Sequence, residues 1–246
     1  MKAPDKIRLD KLLVEKGLVS TRERARSIIL SGAVLVGDRV VDKAGTLVGV
    51  DEPLRLTVED LPYVSRGGLK LEGALETFQI SVAGAVALDV GVSTGGFTDC
   101  LLQQGARKVY AVDVGYGQLA WKLRQDNRVI LFERTNIRYF TGEEITEDVT
   151  IAVIDVSFIS LKLVLPVVLG LVSPGADVLA LVKPQFEAGR GEIGKKGVVR
   201  DSRIHERVVA EIAACAEGLG LAILGTCDSR PPGPKGNREF FLYAKK

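Results

Sequence analysis

The stretch Ala87–Leu102, ALDVGVSTGGFTDCLL, decides how the rest of the chain is read. A mostly apolar run from Val86 reaches Asp89 and Val90 and breaks into Gly91-Val92-Ser93-Thr94-Gly95-Gly96. It resumes with Phe97, Leu101 and Leu102 at helical spacing. That is the pattern of a buried strand, a glycine-rich turn and a helix start. Glycines let backbone approach a bound group closely, and free N–H groups at a helix N-terminus favour polar or anionic ligands. A dinucleotide fingerprint would want a second glycine at Ser93. A plain strand-to-helix turn is the alternative on this stretch alone.

Downstream, strand and helix signals alternate, which argues a parallel sheet covered on both faces. Strands are expected over residues 86–90, 108–112, 129–132, 151–155, 177–183, 221–227 and 239–244. Helices are expected over 98–104, 117–125, 161–171 and 202–219, and 132–151 reads as loop with one short helix at most. The last two strands are joined by a Pro/Gly-rich loop, Arg230–Asn237, which fits a final antiparallel hairpin. Upstream, Val64–Gly68 reads as a hinge, and LKLEGALETF (69–78) as a helix with Leu71, Leu75 and Phe78 on one face.

With 246 residues, the chain has room for one α/β domain and a small appendage. A net charge of +2 gives no overall argument for nucleic acid, so any such argument must be local. Cys100, Cys215 and Cys227 are unclustered and read as reduced core cysteines without zinc spacing, so no metal is expected. Neither a signal peptide nor a membrane span is legible, and a cytoplasmic location is expected.

Residues 7–58 read as a separate small module. Leu9, Leu12 and Leu13 stripe a short helix that Gly17 ends, and Ser20-Thr21-Arg22-Glu23 is a capping-box pattern before a second helix. Val34–Val36 and Val40–Val41 flank Gly37-Asp38-Arg39 as a hairpin. Asp60-Leu61-Pro62-Tyr63 closes the module. Between Lys2 and Lys43 there are ten Lys or Arg against six Asp or Glu. Composition alone makes this a solvated face.

Ligands of open α/β sheets bind beyond the carboxyl ends of the strands. Asp89 and the glycine loop end the first strand, and Asp-x-Gly-x-Ser-x-Gly-Gly is close to the loop that wraps S-adenosylmethionine. Asp113 ends the second and can accept hydrogen bonds from the ribose hydroxyls of an adenosyl cofactor, a device that dinucleotide enzymes share. Asn136 follows the third, placed to read an adenine edge. Asp155 ends the fourth and Lys183 the fifth, and Glu239 begins the last. Lys183 follows Val178–Val182, so its amine is partly desolvated, and a desolvated lysine can serve as a general base. His205, the lone histidine, sits on an amphipathic helical pattern and reads as structural. The loop Glu187–Gly197 is either a solvated loop or a flap.

The order Arg8-Leu9-Asp10-Lys11-Leu12-Leu13, Ser20–Ala25 and Gly32–Gly37 resembles the small RNA-binding module first known from a ribosomal small-subunit protein, the S-four type. That resemblance implies phosphate contacts with structured RNA from Arg8, Lys11, Arg22 and Arg26. Lys70, Asp155, Lys183 and Glu239 fall in the order of the Lys-Asp-Lys-Glu tetrad of FtsJ-like RNA 2′-O-ribose methyltransferases. With Ser65–Lys70, Leu88–Phe97, Ile154–Ser160, Lys183–Glu187 and Gly197–Asp201, the chain from Ile7 onward is similar to the TlyA (haemolysin A) family of rRNA 2′-O-methyltransferases.

The resemblance implies a seven-stranded, Rossmann-like methyltransferase sheet behind a small α+β RNA-binding module. Its divisions are 1–60, a linker over 61–69, and a catalytic domain over 70–246. The implied cofactor is S-adenosylmethionine, held by Asp89, Gly91, Ser93, Gly95, Gly96, Phe97, Asp113, Asn136 and Asp155. The implied partner is ribosomal RNA or ribosomal subunits. Lys183 would take the ribose proton, Asp155 and Glu239 would hold the lysine amines, and Lys70 would orient the nucleophile. The rival readings are a non-catalytic RNA-binding or ribosome-assembly protein that keeps the cofactor pocket, and a nicotinamide-dependent dehydrogenase. A pore-forming haemolysin would rest on a family name alone.

Overall fold

The structure is a computed structural model, and it describes residues 6–19, 21–57, 61–194 and 196–246. Ser20 and Asp60, singled out above, lie outside them. The chain forms two compact units, Met1–Pro62 and Tyr63–Lys246.

In the N-terminal unit, β1 (Lys6–Arg8) leads into α1 (Leu9–Glu15), and α2 (Arg22–Leu30) follows. Thr21 caps α2, its hydroxyl accepting the Arg24 N–H at 3.1 Å, so the cap falls one residue beyond the Ser20 of the expected box. β2 (Val34–Val36) and β3 (Arg39–Val40) form the expected hairpin, with only Gly37 and Asp38 in the turn and Gly37 in the left-handed region. β5 (Leu54–Leu56) adds to β2, and β4 (Leu47–Gly49) pairs with β1. Leu9, Leu13, Ala25, Ile29 and Val34 are each 0 % exposed and make the core. Burying a Leu or Ile of this kind contributes about 1.5–3 kcal/mol.

The C-terminal unit carries a sheet of seven strands. They are β6 (Val86–Val90), β7 (Lys108–Val112), β8 (Val129–Phe132), β9 (Ile151–Ile154), β10 (Asp177–Val182), β11 (Ala222–Asp228) and β12 (Phe240–Lys245). Their order is β11-β12-β10-β9-β6-β7-β8, with β12 antiparallel to both neighbours and the remaining pairs parallel. Leu88, Tyr110, Ala152 and Ala180 face α6 (Leu161–Leu171) and α8 (Ser202–Gly218). Ala87, Val109, Val153 and Leu179 face α3 (Arg66–Phe78) and α4 (Gly96–Gln103). Both faces are covered, so the central strands read as mostly apolar runs, with Asp89 in β6 a buried charged exception.

Two expectations change. The helix expected over 117–125 shrinks to α5 (Trp121–Arg124), because Gly117 takes a left-handed conformation and gives its N–H to Glu133. The expected hinge is partly helix: α3 begins at Arg66, and a Cβ on Gly68 would lie 2.2 Å from the Tyr63 ring. The glycines there serve close packing against Tyr63 and α4.

Candidate active site

The chain passes from β6 outward through β7 and β8, then returns to the other side of β6 as β9. Carboxyl strand ends diverge at such a reversal and leave a crevice. A cavity of about 790 Å³ opens there, walled by Gly91, Ser93, Asp113, Asn136, Asp155 and Phe186 among others. Asp113 accepts the Ser93 N–H at 2.7 Å and the Gly115 N–H at 2.6 Å, which fixes its carboxylate at the rim. Each carboxylate oxygen keeps a lone pair for a further donor. Asn136 caps the 3₁₀ turn Ile137–Tyr139 by accepting the Arg138 N–H, so its carbonyl oxygen is already engaged.

The second half of the glycine stretch does different work. A Cβ on Gly95 would lie 2.4 Å from Leu123, and one on Gly96 would lie 2.3 Å from Ser65 Oγ and 2.9 Å from the Gly68 nitrogen. These glycines permit close packing, and Phe97 is buried in the core below them. Asp89 is also away from the cavity wall: it is 0 % exposed, with Oδ2 accepting the Thr98 hydroxyl at 2.6 Å. Burial pushes its carboxyl up to about 7. Of the expected cofactor residues, the cavity wall therefore holds Gly91, Ser93, Asp113, Asn136 and Asp155, and Asp89, Gly95, Gly96 and Phe97 stand behind it.

Beside the cavity, four chain segments bring two lysines and two carboxylates together in pairs. Lys183 follows β10, is 8 % exposed, forms an ion pair with Asp155 and donates to Ser157 Oγ at 3.0 Å. Lys70 projects from α3, is also 8 % exposed, and donates to Glu239 at 2.6 Å. Antiparallel register pairs Val182 with Phe240, so the next step sets Glu239 beside Lys183 in the sheet. Gln185 donates to the other Glu239 oxygen at 2.9 Å. A Cβ on Gly233 would lie 2.2 Å from that oxygen, so the Pro/Gly loop closes directly over the carboxylate.

Sequence reading missed Ser157, Gln185 and Gly233. The first two lie two residues beyond Asp155 and Lys183, where a strand-end search could have found them. Phe158, also missed, is 90 % exposed in a left-handed conformation and packs on Phe186 at 4.8 Å between ring centres. Such a backbone costs on the order of 1–3 kcal/mol and persists only where neighbours enforce it. Here Glu187 accepts from Ser160 Oγ at 2.6 Å and from the Leu161 N–H at 2.8 Å, tying down the far end of the loop. His205, expected to be structural, is buried, with Nε2 2.9 Å from the Val199 carbonyl.

The family model of the FtsJ-like methyltransferases matches residues 63–246. The chain belongs to that family. The S4 domain model matches residues 7–54. Over 239 residues, 97 % of this chain and 89 % of the relative, this FtsJ-like chain is 47 % identical to the 16S/23S rRNA (cytidine-2′-O)-methyltransferase TlyA of Mycobacterium tuberculosis. It is 52 % identical to YqxC of Bacillus subtilis, a candidate rRNA methyltransferase, over 97 % of this chain and 85 % of that one. The solved structure of a candidate hemolysin from Streptococcus thermophilus is 47 % identical and superposes with a TM-score of 0.77, over 99 % of this chain and 90 % of that chain. These relatives place the chain in the TlyA group of FtsJ-like methyltransferases. Among the described residues, no helix is long and apolar enough to cross a membrane, and no group of side chains could hold a metal ion.

Proposed function

We propose that this chain transfers the methyl group of S-adenosylmethionine to a ribose 2′-hydroxyl of ribosomal RNA, working in the cytoplasm where ribosomal particles are found. The observation that carries this is Lys183: a lysine at 8 % exposure, its amine anchored by Asp155 and Ser157 at the edge of the cavity. The cavity suits the adenosyl cofactor, with a carboxylate and an amide at its rim and Val90, Val112 and Ile137 as apolar wall. Asp113 would hold the ribose hydroxyls, Asn136 would reach the adenine through its amide nitrogen, and Gly91 and Ser93 would line the chain of the cofactor. Bound there, S-adenosylmethionine supplies a sulfonium-activated methyl group.

The chain's own residues do the rest. Lys183 takes the proton from the attacking 2′-hydroxyl, a role that requires the neutral amine. Asp155 fixes where that amine points. Lys70, held by Glu239, places a positive charge where negative charge grows on the ribose oxygen. Phe158 offers an exposed ring face on which a nucleobase can stack. In the N-terminal unit, Arg8, Lys11, Arg22 and Arg26 would supply salt-dependent RNA affinity.

Incubation with methyl-labelled S-adenosylmethionine and purified ribosomal subunits tests this. Label is expected on a ribose oxygen of the rRNA. Label confined to bases, or none from a protein that binds the cofactor, would overturn the reading.

A further inference from the structure

A second arrangement of buried charge lies in the N-terminal unit. Asp10, in the first turn of α1, is 0 % exposed. Its carboxylate accepts Arg8 Nε and Nη2 at 3.0 Å each, Arg22 Nη2 at 3.0 Å and Arg26 Nε at 3.4 Å. The arginines come from β1 and α2, and Arg22 and Arg26 lie one helical turn apart. Their side chains stay 46, 51 and 53 % exposed. Each guanidinium carries five N–H donors, and Asp10 takes only one or two from each.

Three like charges drawn together repel one another, and long arginine side chains in water sample many rotamers. A shared anion beneath them answers both problems. Lys11 is held differently, by an exposed pair with Glu15 at 3.4 Å, and takes no part. The guanidiniums also hold the Asp10 carboxyl well below the usual carboxylate range, so the anchor stays charged at any physiological pH.

We infer that Asp10 is a positioning residue for RNA binding, holding Arg8, Arg22 and Arg26 as one fixed array that grips backbone phosphates. The inference rests on the rRNA reading above and specifies how this unit would serve it. Arginines already ordered in the free protein lose less freedom on binding, and their remaining donors suit the bidentate geometry of phosphate.

The test uses the full chain and ribosomal subunits, with affinity measured across a salt series. Asp10→Asn removes a negative charge, so a diffuse electrostatic surface would bind RNA more tightly. A positioned array predicts the opposite: binding weaker by on the order of tenfold. Replacing Arg8, Arg22 and Arg26 together by lysine keeps both the charge and Asp10 but removes the fork geometry, and it too should weaken binding. Circular dichroism checks the folding of each variant, and should Asp10→Asn fail to fold, the lysine variant decides alone. Parent-like or tighter binding by a folded Asp10→Asn protein, or by the lysine variant, would overturn the inference. Replacing Arg8, Arg22 and Arg26 together by alanine tests the underlying reading separately: if that variant binds subunits as the parent does, these three arginines do not grip RNA at all.

Discussion

Asp10 in the N-terminal unit and Asp89 in the methyltransferase unit are both 0 % exposed, yet their carboxyls are shifted in opposite directions. Asp10 meets three guanidiniums, Arg8 foremost, and its carboxyl is held far down. Asp89 has the Thr98 hydroxyl on one oxygen and no hydrogen-bond partner for the other among the described residues. Desolvation raises it to about 7, and the neighbouring Asp155 and Asp113 push the same way. Burial alone does not set the charge of a group; its partners do. The tetrad shows a third arrangement, in which the cations are buried as well: the Lys70 and Lys183 side chains are each 10 % exposed, against about half for the arginines on Asp10. Burying both ions carries a desolvation penalty that half-exposed arginines largely avoid. Exposed donors suit binding, and shielded amines suit proton transfer.

The strongest way to break this contrast is at Lys183. Lys183→Ala should lower the single-turnover methylation rate by about 10²–10⁴-fold and leave cofactor affinity near the parent value. Lys183→Arg should be as inactive, because a guanidinium cannot accept the proton. An active arginine variant would make Lys183 a charge holder of the same kind as Arg22.

The two buried aspartates can be separated by pH. The folded pKa of Asp89 is raised above its unfolded value, so the folded chain binds the extra proton between the ordinary carboxylate range and about 7. Stability should therefore fall through that window as pH rises, by up to about 1.4 kcal/mol per pH unit, and level off above it. Asp89→Asn should remove that slope, matching the parent near pH 4 and exceeding it at pH 8 in urea midpoints. Identical pH profiles for parent and variant would show that Asp89 ionises like an exposed acid.

Gly233→Ala sharpens the picture of the second ion pair. Its Cβ would displace the Glu239 carboxylate and leave Lys70 without its charged partner. Hydrogen bonds to charged groups contribute about 1.5–3 kcal/mol, which corresponds to a rate loss of about 10–100-fold. A parent-like single-turnover rate would make Lys70–Glu239 a purely structural pair. The smallest effect is expected at the rim, where Asp113 is only half-buried. Asp113→Ala should weaken S-adenosylmethionine binding about tenfold by calorimetry, and unchanged affinity in a folded protein would remove Asp113 from the cofactor site.

Much of the sheet was legible because its signals are local. The runs at 86–90, 108–112 and 129–132 are strands over those same residues, as apolar segments bounded by turn residues should be. Polar residues at strand ends pointed to Asp113, Asp155, Lys183 and Glu239 for the same reason. Lys70 was not legible in this way. Alone it reads as a solvated helix lysine, and only its place in a family pattern singled it out, since Glu239 lies 169 residues further along the chain.

By itself, then, the sequence determined the alternation of strand and helix, the break at the glycine stretch and the antiparallel last strand, all set by periodicity and turn chemistry within a few residues. Tertiary structure decided what depends on approach between distant segments. It put Gly91 on the cavity wall, close against the Asp155 backbone, and kept Gly95 and Gly96 off that wall in packing contacts. It also laid Gly233 against Glu239, gathered three arginines on Asp10, and left one oxygen of Asp89 without a hydrogen-bond partner among the described residues. Charge and backbone clearance at those places are properties of neighbours in space, and no window along the chain contains them.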